Sequence, residues 1–257
     1  MPALVTTVRN LGPFIPLVLL WQLAVALEIW PRSFVPSLAQ LPKECVYLVS
    51  NASLIPQLGR TIFRVFAGGL TGLVAGILVG TLIAVNKAVY NVLRDIIDYF
   101  QAIGEVGWLP VFIIWSGFNE RTIILTIAYT VFFPVFFGTL AGFRRVPQNL
   151  INSVRTLGAR PWHVVWDVLI PGSLPAIITG FRAGMGFGWR TVIITEMLVA
   201  QSGLGVMIFN ARTFLRVDWI IVGMIIAGIL WLLIDRLILE WLESRTIVKW
   251  GVLTRAR

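Results

Sequence analysis

The sequence predicts an all-α, polytopic membrane protein with about six transmembrane helices. Three observations lead there. Hydrophobic residues make up 58% of the 257 positions and charged residues only 13%, with a mean hydropathy of +0.86. A water-soluble domain carries about 25% charged residues, so lipid must replace water over much of this surface. The apolar residues also fall into stretches of roughly 20, the length that crosses a bilayer as a helix. Finally, Lys and Arg lie unevenly between alternate ends of those stretches.

The candidate spans are 14–30, 62–85, 96–117, 121–143, 173–199 and 219–241. The first carries Ala24-Val25-Ala26, which looks like a signal-peptidase site, but Pro13 and Pro16 interrupt it and the following chain is equally apolar. It is read as an uncleaved span. Residues 38–55 alternate Leu38, Leu41, Val46, Leu48 and Val49 with polar positions and are expected to lie along the membrane surface. Span two holds Gly68, Gly72, Gly76 and Gly80, and span five holds Gly180, Gly184 and Gly188. Glycine at every fourth position lets a neighbouring helix reach backbone contact, where van der Waals packing drives association in lipid. Span three contains Gly104, Glu105, Gly107 and Pro110 and is expected to be kinked or partly unwound, which requires shielding by protein.

With the N-terminus inside, eleven Lys and Arg fall on the cytoplasmic side and six outside, so both termini are expected in the cytoplasm. The net charge of +9 follows from that retention and from anionic headgroups, and no basic stripe outside the spans points to nucleic acid. One cysteine, Cys45, excludes an intrachain disulfide framework, and one histidine, His163, leaves no histidine metal cluster. Asp95 and Asp98 beside Arg94 read as a solvated helix end rather than an acid pair. No internal repeat or linker appears, so residues 1–257 are read as one transmembrane domain.

The segment 143–173 is the longest between spans on the cytoplasmic side. Pro147 stops the preceding helix, Gln148 to Leu157 can form a helix, and Gly158 breaks it. Pro161 starts another helix running to about Ile170, which Pro171 and Pro175 are expected to end. Trp162 and Trp166 share a face flanked by Arg155 and Arg160, and aromatic residues with Arg make good interface anchors.

This segment resembles the cytoplasmic motif of ABC-importer permeases: Glu-Ala-Ala, three residues, Gly, nine residues, Ile-x-Leu-Pro. Gly158 matches the glycine and Val168-Leu169-Ile170-Pro171 the ending, while Asn152-Ser153-Val154 departs at the start. Arg155-Thr156-Leu157-Gly158-Ala159 is close to the subgroup importing sulfonates, taurine, nitrate and bicarbonate. So are Thr61-Ile62-Phe63-Arg64-Val65, Gly107-Trp108-Leu109-Pro110, Trp115-Ser116-Gly117-Phe118, Ser202-Gly203-Leu204-Gly205 and Asp235-Arg236-Leu237. The resemblance implies a type I ABC-importer permease fold working as a homodimer. Asn152, Ser153, Arg155, Leu157, Gly158, Ala159, Pro161, Trp162, Trp166 and Pro171 would form the loop that couples to a cytoplasmic ABC ATPase dimer. A separate extracytoplasmic binding protein would deliver a small anion. The chain has no Gly-x-x-x-x-Gly-Lys-Ser/Thr phosphate loop, so it needs no cofactor of its own, ATP and magnesium being held by the ATPase. The competing classes are a channel or secondary transporter, and a membrane enzyme.

Ionisable residues inside spans cost roughly 3 kcal/mol each on insertion scales, which makes Glu105, Arg182, Arg190 and Glu196 pathway or gate candidates. Arg190 and Glu196 are too far round one helix to pair, so each is expected to find a partner on another span, and Glu105 is the expected partner of Arg182 or Arg190.

Overall fold

The structure, a computed structural model, describes residues 14–27, 34–50 and 54–249. The described residues contain helices and connecting turns, without strands. In chain order they are α1 (Phe14–Ala26), α2 (Leu41–Ser50), α3 (Leu54–Val85), α4 (Lys87–Ile103), α5 (Glu105–Ser116), α6 (Glu120–Arg145) and α7 (Gln148–Thr156). There follow α8 (Pro161–Val199), α9 (Leu204–Thr213), α10 (Val217–Ile234) and α11 (Glu240–Lys249). A π-turn over Asp235–Leu239 joins α10 to α11 without a break, so one helix continues from Val217 to Thr246.

Four of these helices are long and apolar enough to cross a membrane: α3, α6, α8 and the α10–α11 pair. The expected third span is instead two helices meeting at 91°. Gly104 makes the corner at φ +71°, a left-handed value that glycine reaches without a Cβ clash. Its α4 half runs along α6, with Tyr90, Leu93 and Ile97 packed on Ile83, Phe136 and Leu140. The α5 half carries Trp108 and Phe112 against Tyr129. Counting this broken pair gives a fifth span. The first expected span is a 13-residue helix, and residues 28–30 of it lie outside the described residues. Arg9, Arg32, Arg255 and Arg257, which enter the charge count, lie outside them as well.

The core is organised around α6, which sits between the two glycine ridges. A Cβ at Gly72 would lie 2.6 Å from the Ala128 carbonyl oxygen and 2.8 Å from Val131 Cβ, and one at Gly76 would lie 2.8 Å from Val135 Cβ. Gly68 and Gly80 meet Ile127 and Thr139 in the same way. On the other side Gly184 approaches Val131, Gly188 approaches Ile127, and Gly180 meets the backbone of Pro134. Val131 and Ile127 are therefore clasped from both sides. Three buried hydroxyls of α6 are satisfied within the helix, since Thr126, Thr130 and Thr139 each donate to the carbonyl one turn back at 2.8 Å, while Thr122 and Tyr129 donate to the Gly117 and Phe100 carbonyls outside it. Gly72→Leu should therefore lower the unfolding midpoint in detergent sharply, since even a modest overpacking strain is about 1–3 kcal/mol. Gly59→Leu, where nothing lies within 4 Å, should not.

The structure corrects one expectation about prolines. Pro171 and Pro175 do not end the helix begun at Pro161; α8 runs through both to Val199. The reason is the π-turn at Val164–Leu169, where Ile170 N–H reaches back to the Val165 carbonyl five residues earlier. That wider turn shifts the ladder just before Pro171, whose ring would otherwise press on a carbonyl four residues back.

Candidate functional site

α7 stands outside the spans and is pinned by one face. Ile151 is buried with Val146 and Val164, and Val154, Ala159, Val168 and Leu169 pack around them. Gly158 ends the helix at φ +83°, and Gly158 N–H donates to the Arg155 carbonyl at 3.0 Å while Ala159 N–H donates to that of Val154 at 3.2 Å. Asn152 and Ser153 point away from the pinned face and are exposed, Ser153 Oγ donating to the Asn149 carbonyl at 2.8 Å. Pro161 opens α8 at its first turn, where no N–H is needed. Trp162 and Trp166 meet edge to face with ring centres 5.2 Å apart, and remain 63% and 49% exposed. Leu157 is 86% exposed, and Arg155 and Arg160 are exposed too. The segment thus shows an anchored helix with an unfilled outward face and three large apolar side chains open beside it.

At the opposite ends of the long helices lies a buried ion network. Arg64, 1% exposed, donates through Nη1 to Glu196 Oε1 at 2.6 Å and forms a two-pronged pair with Glu120 through Nε and Nη2, both at 2.6 Å. Its Nη1 also reaches the Ser202 carbonyl at 2.5 Å. Glu196, fully buried, accepts further from Thr61 Oγ1 at 2.9 Å and from Gly205 N–H at 2.9 Å. One guanidinium therefore ties α3, α6, α8 and the turn into α9 together.

Arg182 forms a second network. Its Nε and Nη2 bind both Asp235 carboxylate oxygens at 2.7 Å, and its Nη1 binds Glu243 at 2.6 Å. Glu105 is not its partner, contrary to the sequence expectation, because Asp235 sits on the π-turn directly across from it. Nor does Glu105 reach Arg190: it accepts from Thr191 Oγ1 at 3.1 Å. Arg190 has no carboxylate partner among the described residues and lies over the Phe187 ring at 5.5 Å. It sits on an open stripe of α8 with Thr179, Ala183, Phe187, Ile194 and Leu198, all exposed and three or four residues apart.

A third cluster fastens α2 to the start of α10. Arg216 binds Asp218 and Glu44, each at 2.8 Å, and Trp219 Nε1 donates to Glu44 at 2.8 Å. The Asp218 hydrogen bond, above all, holds the Arg216 guanidinium above its usual range.

This arrangement of helices agrees with known proteins. Residues 72–248 match the family model described as the binding-protein-dependent transport system inner membrane component. The chain belongs to this family. This permease is 30% identical over 231 residues to the taurine transport system permease protein TauC of Escherichia coli (strain K12), covering 88% of this chain and 84% of that one. It is 31% identical over 237 residues to the nitrate import permease protein NrtB of Synechocystis sp., covering 89% and 85%. The fold matches a solved inward-facing structure of the MetNI methionine ABC transporter with a TM-score of 0.59 at 19% identity, over 73% of the permease and 95% of that chain. The permease is thus a multi-pass transport subunit and not an enzyme.

Four acidic partners in these networks, Glu120, Asp235, Glu243 and Glu44, do not stand out in the sequence. The signal was nevertheless present. Thr61 to Val65 and Ser202 to Gly205, two of the family-like stretches, converge on Glu196, and a third supplies Asp235.

Proposed function

We propose that this permease forms half of the pathway of an ATP-driven importer for a small oxoanion such as a sulfonate or nitrate. Two copies pair, a cytoplasmic ATPase dimer docks on the 148–171 segment, and an extracytoplasmic binding protein delivers the substrate. Both termini then face the cytoplasm. The observation that carries this reading is α7: a helix held through Ile151 and Val154 on its inner face, with Asn152, Ser153 and the 86% exposed Leu157 open to a partner. The anion class is supported by Arg190, an unpaired cation on an open helix face about 9 Å along α8 from Glu196. The relatives are named for taurine, which carries a sulfonate group, and for nitrate, so an oxoanionic group is common to both.

Gentle extraction followed by native mass measurement tests the assembly: two permeases with two ATPase chains are expected, and a chain that emerges alone across several detergents would sink the reading. For the pathway, Arg190→Gln should cut anion uptake about tenfold or more, while ATP hydrolysis by the purified complex continues. Unchanged uptake would remove Arg190 from the pathway.

A further inference from the structure

A second cationic site lies at the α7 end of the bundle, away from Arg190. The end of α3, the start of α4, the end of α6, α7 and the π-turn of α8 enclose a cleft of about 420 Å³. Its polar wall includes Arg144, Arg155, Gln148 and Asn91, and no carboxylate lines it. Neither arginine has an ion-pair partner among the described residues. Arg144 lies over the Tyr90 ring at 4.8 Å, which holds its guanidinium at the α4 side of the cleft. Gln148, Ile151 and Arg155 recur at three- and four-residue spacing, so one face of α7 forms the opposite wall.

The floor is apolar, and it continues. Tyr90 and Leu140 also line a smaller cavity of about 140 Å³ between α4 and α6, where Ile97, Phe136 and Phe137 form the apolar wall and the exposed Arg94–Asp98 ion pair forms the polar one. Together the two form a groove with the unpaired Arg144 and Arg155 at one end and an aromatic and aliphatic track beyond them, bordered on the α4 side by the mutually neutralised Arg94 and Asp98. The cationic end lies where the apolar run of α6 stops at Phe143 and where Asn86 caps α4 with bonds from Ala88 and Val89 N–H. In a bundle that spans a bilayer, the ends of the apolar runs meet the headgroup layer. A volume of this size falls within the range of small-molecule sites, roughly 300–1,000 Å³. Guanidinium groups bind the oxygens of a phosphate in pairs, and basic pockets between spans suit anionic headgroups.

We infer that this cleft is a binding site for an anionic phospholipid, its phosphate held between Arg144 and Arg155 and its acyl chain laid along Leu140, Phe136 and Phe137. Occupancy joins α7 to α4 and α6 through the ligand, which makes the position of α7 sensitive to the lipid around it. The inference rests on the membrane class of the chain and not on the importer reading, so either can fail alone.

Native mass measurement of the detergent-purified full chain tests it, with phosphatidylglycerol and phosphatidylcholine of identical acyl chains added in turn. Phosphatidylglycerol should bind at least about tenfold more tightly, and glycerol phosphate, the same headgroup without tails, should not compete at the same concentration. Arg144→Gln with Arg155→Gln should abolish the preference, while Arg144→Lys with Arg155→Lys should keep most of it. Both arginines are exposed, and the lysine pair controls for folding. Equal binding of the two lipids would overturn the proposal. So would a preference that survives the glutamine pair, which would put the site elsewhere. Glycerol phosphate competing as well as the lipid would overturn it in favour of a site for soluble anions.

Discussion

Leu157→Asp is expected to leave the permease folded and to abolish ATP-driven uptake. At 86% exposure the leucine contributes almost nothing to the chain's own core, so its loss costs little stability. α7 keeps its place through Ile151, which is buried with Val146 and Val164. Burying a leucine in a partner is worth about 1.5–3 kcal/mol, and an aspartate in the same place must also shed its water. The combined loss is at least about a hundredfold in affinity at 1.4 kcal/mol per tenfold. Co-purification of the ATPase with the variant, alongside uptake in reconstituted vesicles, reads both halves of the claim. Retained ATPase and normal uptake would show that the 148–171 segment does not dock through this side chain. Ile151→Ala should behave differently, loosening α7 and lowering stability as well as uptake.

Glu196→Ala should produce the largest loss of stability. Arg64 and Glu196 are 1% and 0% exposed, and the carboxylate also receives Thr61 and the Gly205 amide. Removing one member of such a pair leaves its partner buried without full compensation, a change of about 3–5 kcal/mol. Glu120 can retain the other prong of Arg64, which places the expected effect toward the lower end of that range. Glu120→Ala should be milder, because that carboxylate is 53% exposed and water can replace it. The unfolding midpoint of each variant in the same detergent orders them. Equal midpoints for Glu196→Ala and the parent would mean that the network does not hold the helix ends together.

Four of the spans and the short helix α7 were legible in the sequence because each rests on local chemistry. Hydropathy gives span length, and Pro147, Gly158 and Pro161 punctuate α7 by backbone geometry alone. Gly104 marked span three as irregular, but its 91° corner depends on α4 lying along α6, which no single segment encodes. Pro171 misled because proline breaks a regular ladder, whereas the preceding π-turn changes the ladder it meets. The ion pairs were the least legible. Arg182 finds Asp235 and Glu243 across 53 and 61 residues of chain, and Arg64 finds Glu196 across 132. Chance proximity in sequence, as between Arg190 and Glu196, carries no information about such partners.

The continuity of α8 has a mechanical consequence. Its 39 residues make a rod of about 58 Å that carries the exposed Trp162 and Trp166 near one end and the buried Glu196 near the other. Gly180, Gly184 and Gly188 bring its middle hard against α6. Taking Gly184 as fulcrum, the arm toward Trp162 is about 33 Å and the arm toward Glu196 about 18 Å. A rigid swing at the tryptophan end therefore reappears at the other end reversed in direction and about half as large, a lever geared for force rather than travel.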